Sequence, residues 1–132
     1  MPKINFTAVL AAAVASFIVG GLWYSLMFKN AWMKANRFTE EDLSKRNPAV
    51  MFGVSFLLSL VMAFNLAAFL GNEGVSLKWG MTAGALAGAG WVTAALAVTA
   101  VFESRGWLYV AVNGGYWIVA FVVMGGIIGA WR

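Results

Sequence analysis

The chain has 132 residues, of which 62% are hydrophobic and only 11% are charged, and its formal net charge is +4. An ordinary soluble domain carries about 25% charged residues, so this composition excludes a soluble globular protein. The sequence contains neither Cys nor His, which excludes thiolate chemistry and removes the commonest general base and metal ligand. Its cations lie between apolar runs, where they indicate membrane topology rather than binding to nucleic acid.

Four runs without a charged residue predict four membrane-spanning helices. Each run holds 24 to 26 residues, whereas about 20 are enough to cross a bilayer. The first run is too long for the core of a cleavable leader, so we interpret it as an uncleaved span. We therefore predict an all-α fold that forms one transmembrane domain over residues 1–132, with no room for a soluble catalytic domain. The predicted spans cover about 5–28, 49–70, 79–102 and 108–131.

The first span carries small residues and ends in aromatic ones. Ser16 and Gly20 stand four apart, a spacing that favours close helix packing in lipid. Trp23 and Tyr24 lie near its end, where amphipathic rings favour the level of the headgroups.

Residues 29–46 form the one substantial polar segment. Plotted as a helix, the segment has an apolar side and a largely cationic side, which predicts a short helix along the membrane surface; a solvated loop is the alternative. The apolar side holds Ala31, Trp32, Ala35 and Phe38, and the opposite side holds Asn30, Lys34 and Arg37. Thr39 with Asp42 resembles a capping box that begins a further turn at Glu40. Asn47 and Pro48 then favour the start of the second span, which is the bulkiest of the four.

The third span is predicted to be the central helix of the bundle. Fifteen of the 22 residues 79–100 are Gly, Ala or Thr, and small residues let helix backbones approach closely in lipid. Three of its glycines share one face because they stand four apart, and Ala87, Trp91 and Ala95 flank or extend that face. Two glycines of the fourth span repeat the spacing. The predicted helix-packing residues are Gly80, Gly84, Gly88, Gly125 and Gly129.

The distribution of Lys and Arg predicts the orientation. The loops after the first and third spans hold six of these cations, and the other side holds three, namely Lys3, Lys78 and Arg132. The positive-inside rule places the six in the cytoplasm and both termini outside it. We predict a multi-pass protein of the cell (inner) membrane.

Five stretches, in matching order along nearly the whole chain, resemble one family of small bacterial membrane proteins. They are GGLWYS (20–25), KNAWM (29–33), TEEDL (39–43), FGVSF (52–56) and VNGGY (112–116). The family is the domain-of-unknown-function family 1761, whose members have four predicted spans. The resemblance implies a fold and a membrane location but no activity.

The chain departs from the family pattern at two positions. Leu26 stands where the family tends to carry proline, and Trp117 stands where it tends to carry histidine. A catalytic or ligand role of that histidine is therefore excluded here.

No predicted span contains Asp, Glu, Lys, Arg or His. Ionisable residues inside a membrane mark proton relays and ion-coupled transport, so this weighs against a proton-coupled transporter. The sequence also lacks metal-ligand clusters, nucleophile–base pairs and phosphate-binding glycine loops. We predict no catalytic residue, no cofactor and no metal. Glu103 with Tyr116 or Tyr24 is the only conceivable acid–base set.

The neutral polar residues suggest a site once they are placed by depth. With the predicted orientation, most fall in the cytoplasmic half, whereas Asn65 and Thr82 fall in the outer half. One hypothesis is a small vestibule that opens to the cytoplasm and is rimmed by Glu103 and Arg105. The alternative is that these groups bond across helices or back to their own helix. The candidate vestibule residues are Tyr24, Ser55, Ser59, Thr99, Asn113 and Tyr116, with Ser25 nearby.

These patterns favour a non-enzymatic membrane protein that assembles with copies of itself. The third span carries small residues nearly all round, more than one neighbour requires, and the fourth carries its own face at Gly125 and Gly129. Trp91 lies in the middle of its span, where an indole N–H needs a partner on the next helix or protomer. The expected partners are the bilayer and a second copy, and no small-molecule ligand is identified. The alternatives are a channel or carrier for a neutral or hydrophobic solute, and an accessory subunit of a larger complex.

Overall fold

The computed structural model describes residues 4–71 and 75–131, and helices make up nearly all of this part of the chain. Their bounds are α1 Phe6–Leu22, α2 Lys29–Asn36, α3 Glu40–Ser44, α4 Pro48–Leu70, α5 Leu77–Ala87, α6 Ala94–Phe102 and α7 Trp107–Ala130. Two π-helical segments extend or join them, π1 at Trp23–Met27 after α1 and π2 at Gly88–Thr93 between α5 and α6.

Four helical stretches of the described chain are long and apolar enough to cross a membrane, as predicted. The first to fourth spans are Phe6–Met27, Pro48–Leu70, Leu77–Phe102 and Trp107–Ala130. The third begins two residues earlier than predicted, which places Lys78 in its first turn. The predicted turn at 71–78 lies partly outside the described residues, and Glu73, Lys3 and Arg132 lie wholly outside them.

Side-chain caps fix the beginnings of several helices. Asn47 accepts hydrogen bonds from the backbone N–H groups that follow Pro48, which is the first residue of α4. The predicted capping box is confirmed, because the Thr39 N–H donates to Asp42 Oδ2 at 2.9 Å and the Asp42 N–H donates to Thr39 Oγ1 at 3.1 Å. The segment between the first two spans is therefore helical in α2 and α3 rather than a loop throughout.

The fourth span, not the third, occupies the centre of the bundle. Half of its most apolar stretch (50%) is buried inside the protein, against 17% for the third span. The fourth span packs extensively against the third and the first, and the second packs mainly on the first. The prediction of a central third span is wrong because its many small residues serve one very close neighbour rather than several.

That close neighbour is α7, whose glycines face those of α5. A Cβ added at Gly80 would overlap the carbonyl oxygen of Gly125, and the reverse also holds. A Cβ at Gly88 would lie 2.9 Å from the Cα of Ile118. The two glycine faces, treated in the sequence as separate surfaces for assembly, are thus one contact inside the chain. They no longer provide an argument for a second copy.

The second span presents most of its bulky side chains to the outside. It packs inward through one face, which holds Ser59, Ala63, Leu66, Ala67 and Leu70. The ring of Phe17 in α1 contacts the rings of Phe52 and Phe56 edge-on, with ring centroids 5.8 Å apart in both pairs. Large apolar side chains on an outer face are suited to contact with lipid chains.

The hydrogen bonds at the two ends of the bundle join distant parts of the chain. At one end the Asn5 side chain donates to the carbonyl oxygen of Trp131 at 3.2 Å. At the other end Arg105 donates to the side-chain oxygen of Asn36 at 3.4 Å, which ties the loop after the third span to α2.

Candidate functional site at the fourth span

Both π-helical segments contact the same short stretch of α7. That stretch is residues 112–116, the VNGGY motif. Contacts from π1 and π2 involve Trp23, Tyr24, Thr93, Asn113, Gly114, Gly115 and Tyr116, and we call these seven residues the hub. π-Helical turns are rare and are frequently found at functional sites.

Segment π1 brings two aromatic side chains onto α7. Its widened turn is closed by a hydrogen bond from the Phe28 N–H to the Trp23 carbonyl at 2.7 Å. The Trp23 indole N–H donates to the Val112 carbonyl at 2.9 Å. The indole also fills the space beside Gly115, where a Cβ would lie 2.9 Å from its Cζ2. The glycine is therefore needed for the ring to lie this close to the helix.

Both polar atoms of the Asn113 amide make hydrogen bonds inside the chain. Its Oδ1 accepts from the Tyr24 hydroxyl at 2.7 Å, and its Nδ2 donates to the Tyr109 carbonyl one turn earlier at 3.0 Å. Tyr24 also packs edge-on against Tyr116, with ring centroids 5.3 Å apart, and against Trp32 of α2 at 5.5 Å. These contacts join α2 to the end of the bundle.

Tyr116 joins α7 to α1 deeper in the bundle. Its hydroxyl donates to the Ser16 carbonyl at 3.0 Å, and Tyr116 is only 8% exposed. A Cβ at Gly20 would lie 3.2 Å from that hydroxyl. The predicted Ser16 and Gly20 pair therefore makes room for the side chain of Tyr116.

Segment π2 rotates the third span at the level of the hub. Thr93 Oγ1 donates to the Gly114 carbonyl at 3.2 Å, and a Cβ at Gly114 would lie 2.6 Å from Thr93 Cγ2. The extra residue of the π-turn brings Thr93 inward, whereas Trp91 is turned outward and is 66% exposed. The expectation that Trp91 and Ala95 flank the glycine face is wrong, because it assumed an uninterrupted α-helix.

The structure joins three of the six candidate vestibule residues. Tyr24, Asn113 and Tyr116 meet in the hub, whereas the Ser59 hydroxyl donates to the Ser55 carbonyl of its own helix at 2.8 Å. Ser55 and Thr99 have exposed side chains outside these contacts. The hydrogen bonds that these residues make are those of the packing alternative, and the wet vestibule stays a prediction.

Charged residues lie beside the hub in the loop before α7. Arg105 pairs with Glu103 at 3.2 Å, and its guanidinium lies 4.8 Å from the centre of the Tyr109 ring. No buried side-chain nitrogen or oxygen of the described residues lacks a hydrogen-bond partner. Within residues 4–71 and 75–131, no three His, Cys, Asp or Glu side chains come together as a metal site would require. The hydrogen bonds of the hub join the fourth span to the first and third spans.

Two grooves of the described surface are apolar and lie away from the hub. One of about 340 Å³ separates α1 from α4 and is lined by Phe6, Val9, Leu10, Leu60, Val61 and Phe64. Another of about 290 Å³ lies between α5 and α7, along Leu77, Met81 and Val122. Such surfaces are suited to lipid chains rather than to a polar ligand.

The hub joins stretches that carry the resemblance noted above. It links GGLWYS of the first span to VNGGY of the fourth. The model of a family described as a protein of unknown function, DUF1761, matches residues 7–129 of the chain. The chain belongs to the DUF1761 family. No curated protein and no solved structure was found to be similar to it.

The two positions predicted to depart from the family pattern have different surroundings. Leu26 in π1 is 76% exposed. The Trp117 ring packs at a tilt against the rings of Tyr116 and Phe121, with ring centroids 4.8 Å and 6.3 Å apart, so a large side chain fills this position.

Sequence reasoning missed Thr93 and the roles of Gly114 and Gly115. The signal that was available is the pair of glycines directly after Asn113, which leaves two sides of α7 open at one level. No residue pattern indicates the π-turns that bring Trp23 and Thr93 to those two sides.

Proposed function

We propose that this DUF1761 protein is a non-catalytic membrane protein that acts as an assembly of identical chains. The observation that carries the proposal is the position of Trp91, near the middle of the third span and 66% exposed. Among the side-chain hydrogen bonds of the described residues, the Trp23 indole N–H has an acceptor, whereas none is made by the indole N–H of Trp91. An unpaired polar group in the hydrocarbon region is costly, and an indole N–H away from water usually has a partner.

The surroundings of Trp91 permit another helix to come close. Ala89, Gly90 and Ala94 are also exposed, and a Cβ at Gly90 would meet no atom within 4 Å. Close approach of backbones is the main source of helix association in lipid. The non-catalytic part of the proposal is supported by the pairing of Asn113, Tyr24 and Tyr116 with one another or with backbone.

The test is the mass of the protein in lipid nanodiscs or mild detergent, measured by native mass spectrometry. We expect a defined multiple of the 14.1 kDa chain. A single chain at every concentration tested overturns the proposal. Cross-linking in native membranes adds a second arm, in which a ladder of one chain supports assembly and a band with a different protein favours an accessory role.

A matched pair of variants tests the role of Trp91. Trp91→Phe removes the N–H and keeps a large ring, and we expect it to weaken the assembly. Trp107→Phe makes the same change at a residue that is 75% exposed at the beginning of α7, and we expect no effect. If both variants assemble to the same extent, the Trp91 indole N–H does not hold the copies together.

A further inference from the structure

We infer that Asn65, Phe69 and Trp91 form the contact surface for a second copy of this chain, arranged by a two-fold axis. The inference rests on the proposed assembly and names its interface. We call these three residues the Asn65 patch.

The patch is continuous across the second and third spans. Phe69 follows Asn65 by one turn of α4, so both lie on one face. The Phe69 ring lies 5.8 Å from the Trp91 ring, and the two side chains are 76% and 66% exposed. Asn65 is exposed as well. An aromatic pair thus connects two polar groups on the outside of the bundle.

The direction of the helix keeps the Asn65 amide away from water. Side chains of a helix lean toward its N-terminus. Asn65 is five residues before the end of α4 at Leu70, so its amide leans back toward the middle of the span. It therefore cannot reach the nearer headgroups as a snorkelling side chain does.

Asn113 shows what an amide in a span of this protein requires. Its Nδ2 donates to a carbonyl of its own helix, and its Oδ1 accepts from the Tyr24 hydroxyl. The side-chain hydrogen bonds of the described residues include these two of Asn113 but none that involves Asn65. Even if its Nδ2 bonded to its own helix, its Oδ1 would still need a donor, because the helix N–H groups are already used. No donor from residues 4–71 or 75–131 bonds to it, so within the described part of the chain this oxygen has no partner.

The groups of the patch complement each other under a two-fold rotation. Trp91 supplies a donor, and Asn65 supplies both an acceptor and a donor. In an isologous interface the contact from one residue to another is made twice. Asn65 of one copy can then accept from Trp91 of the second copy while the reverse bond forms, or the two amides can pair directly. Because the donors and acceptors match and no charge is buried, a second copy suits this patch without help from a foreign group.

Cysteine cross-linking tests the position of the interface. The chain has no Cys, so a single introduced thiol has no background. In native membranes treated with a short bis-maleimide, we expect Ala94→Cys, at an exposed residue beside Trp91, to give a covalent dimer. Ile18→Cys is the control, since this residue of the first span is 59% exposed and outside the patch. A dimer from Ile18→Cys and none from Ala94→Cys overturns the inference.

The dissociation constant of the assembly tests whether the Asn65 amide makes hydrogen bonds across the interface. We expect Asn65→Leu to raise it about tenfold, since each interhelical hydrogen bond contributes modestly and the two-fold axis doubles it. Thr82→Val is the matched control, because the Thr82 hydroxyl donates to the Lys78 carbonyl of its own helix at 2.8 Å. Circular dichroism of both variants verifies the fold. If the wild type assembles and Asn65→Leu leaves the constant unchanged, the interface is elsewhere and the proposed function stands; if the wild type is a single chain, both fail.

Discussion

At the scale of single residues, the absence of a methyl group decides how near two helices can come. Gly80 and Gly125 lie so close that neither can carry a Cβ, and a Cβ at Gly84 would overlap the Phe121 carbonyl. Close backbone approach gains van der Waals contact over a long stretch, which in lipid replaces the hydrophobic effect that a soluble core uses. The cost is that these positions tolerate no larger residue.

The first prediction compares two glycines. Gly84→Ala should lower the free energy of unfolding by about 1–3 kcal/mol, because overpacking forces the backbones apart. Gly53→Ala is the control, since a Cβ there would meet no atom within 4 Å; it should be neutral or stabilise by up to about 1 kcal/mol. The measurement is unfolding in mixed micelles with a rising fraction of denaturing detergent. A similar loss in both variants contradicts the close contact.

At the scale of elements, the π-turns decide which side chains meet the fourth span. Trp23 and Tyr24 in π1 and Thr93 in π2 all reach residues 112–116. A regular α-helix through π2 would present a different residue to Gly114. The local change of helix type therefore fixes the hub as much as the residues themselves do.

The second prediction is a rescue between Thr93 and Gly114. Gly114→Ala should destabilise the protein, because the new methyl would lie 2.6 Å from Thr93 Cγ2. Adding Thr93→Ser removes that Cγ2, and the hydroxyl oxygen and Cβ that remain at residue 93 lie at 3.3 Å and 3.5 Å, so at most a small shift is needed. The double variant should regain most of the free energy of unfolding that Gly114→Ala loses, which is about 1 kcal/mol or more. Additive losses in the same unfolding assay contradict the contact.

The third prediction concerns the capping box of α3. The pKa of Asp42 lies below its ordinary value because the Thr39 backbone N–H and then the Thr39 hydroxyl donate to the carboxylate. A pKa lowered by folding gives a stabilisation that is present above the ordinary pKa and is lost as the pH falls through the lowered one. The Thr39 amide resonance, followed by NMR in nanodiscs, should be constant near neutral pH and shift only in the acid range. Asp42→Asn should abolish that titration, and a shift that persists in the variant assigns it to another group.

The span bounds and caps were predictable from the sequence, because they follow from charge-free runs and from single capping residues. Asn47, Pro48 and Thr39 each act on neighbours within four residues. The contacts of Trp23 and Thr93 were not predictable from the sequence, because they depend on π-helical turns that no residue pattern indicates. The close pairing of Gly80 with Gly125 explains the error about the centre of the bundle: the sequence shows small faces, but only the fold shows that two of them meet.

At the scale of the whole molecule, the loops after the first and third spans lie at one end of the bundle. Arg105 and Asn36 join them there. Most of the cations outside the spans are at this end, including Lys29 and Lys45, whose ion pairs with Glu40 and Glu41 are exposed. Exposed pairs of this kind contribute little to stability. We expect these cations to act mainly on the topology of the chain.

The fourth prediction tests that topology. Ser44→Cys should react with a membrane-impermeant maleimide only after the cells are permeabilised, because the cationic loops are expected in the cytoplasm. Asn72→Cys should react in intact cells. Labelling of Ser44→Cys in intact cells, with Asn72→Cys labelled only after permeabilisation, would show that the orientation is the reverse of the predicted one. The helix contacts described above do not depend on this result.

The central position of the fourth span has a consequence for biosynthesis. Chains leave the ribosome N-terminal end first, so the first three spans enter the bilayer before α7 exists. Until then Ser16, Gly84 and Thr93 lack the partner that buries them. A nascent chain halted before α7 presents these surfaces to membrane proteases, and its turnover should be faster than that of the finished protein.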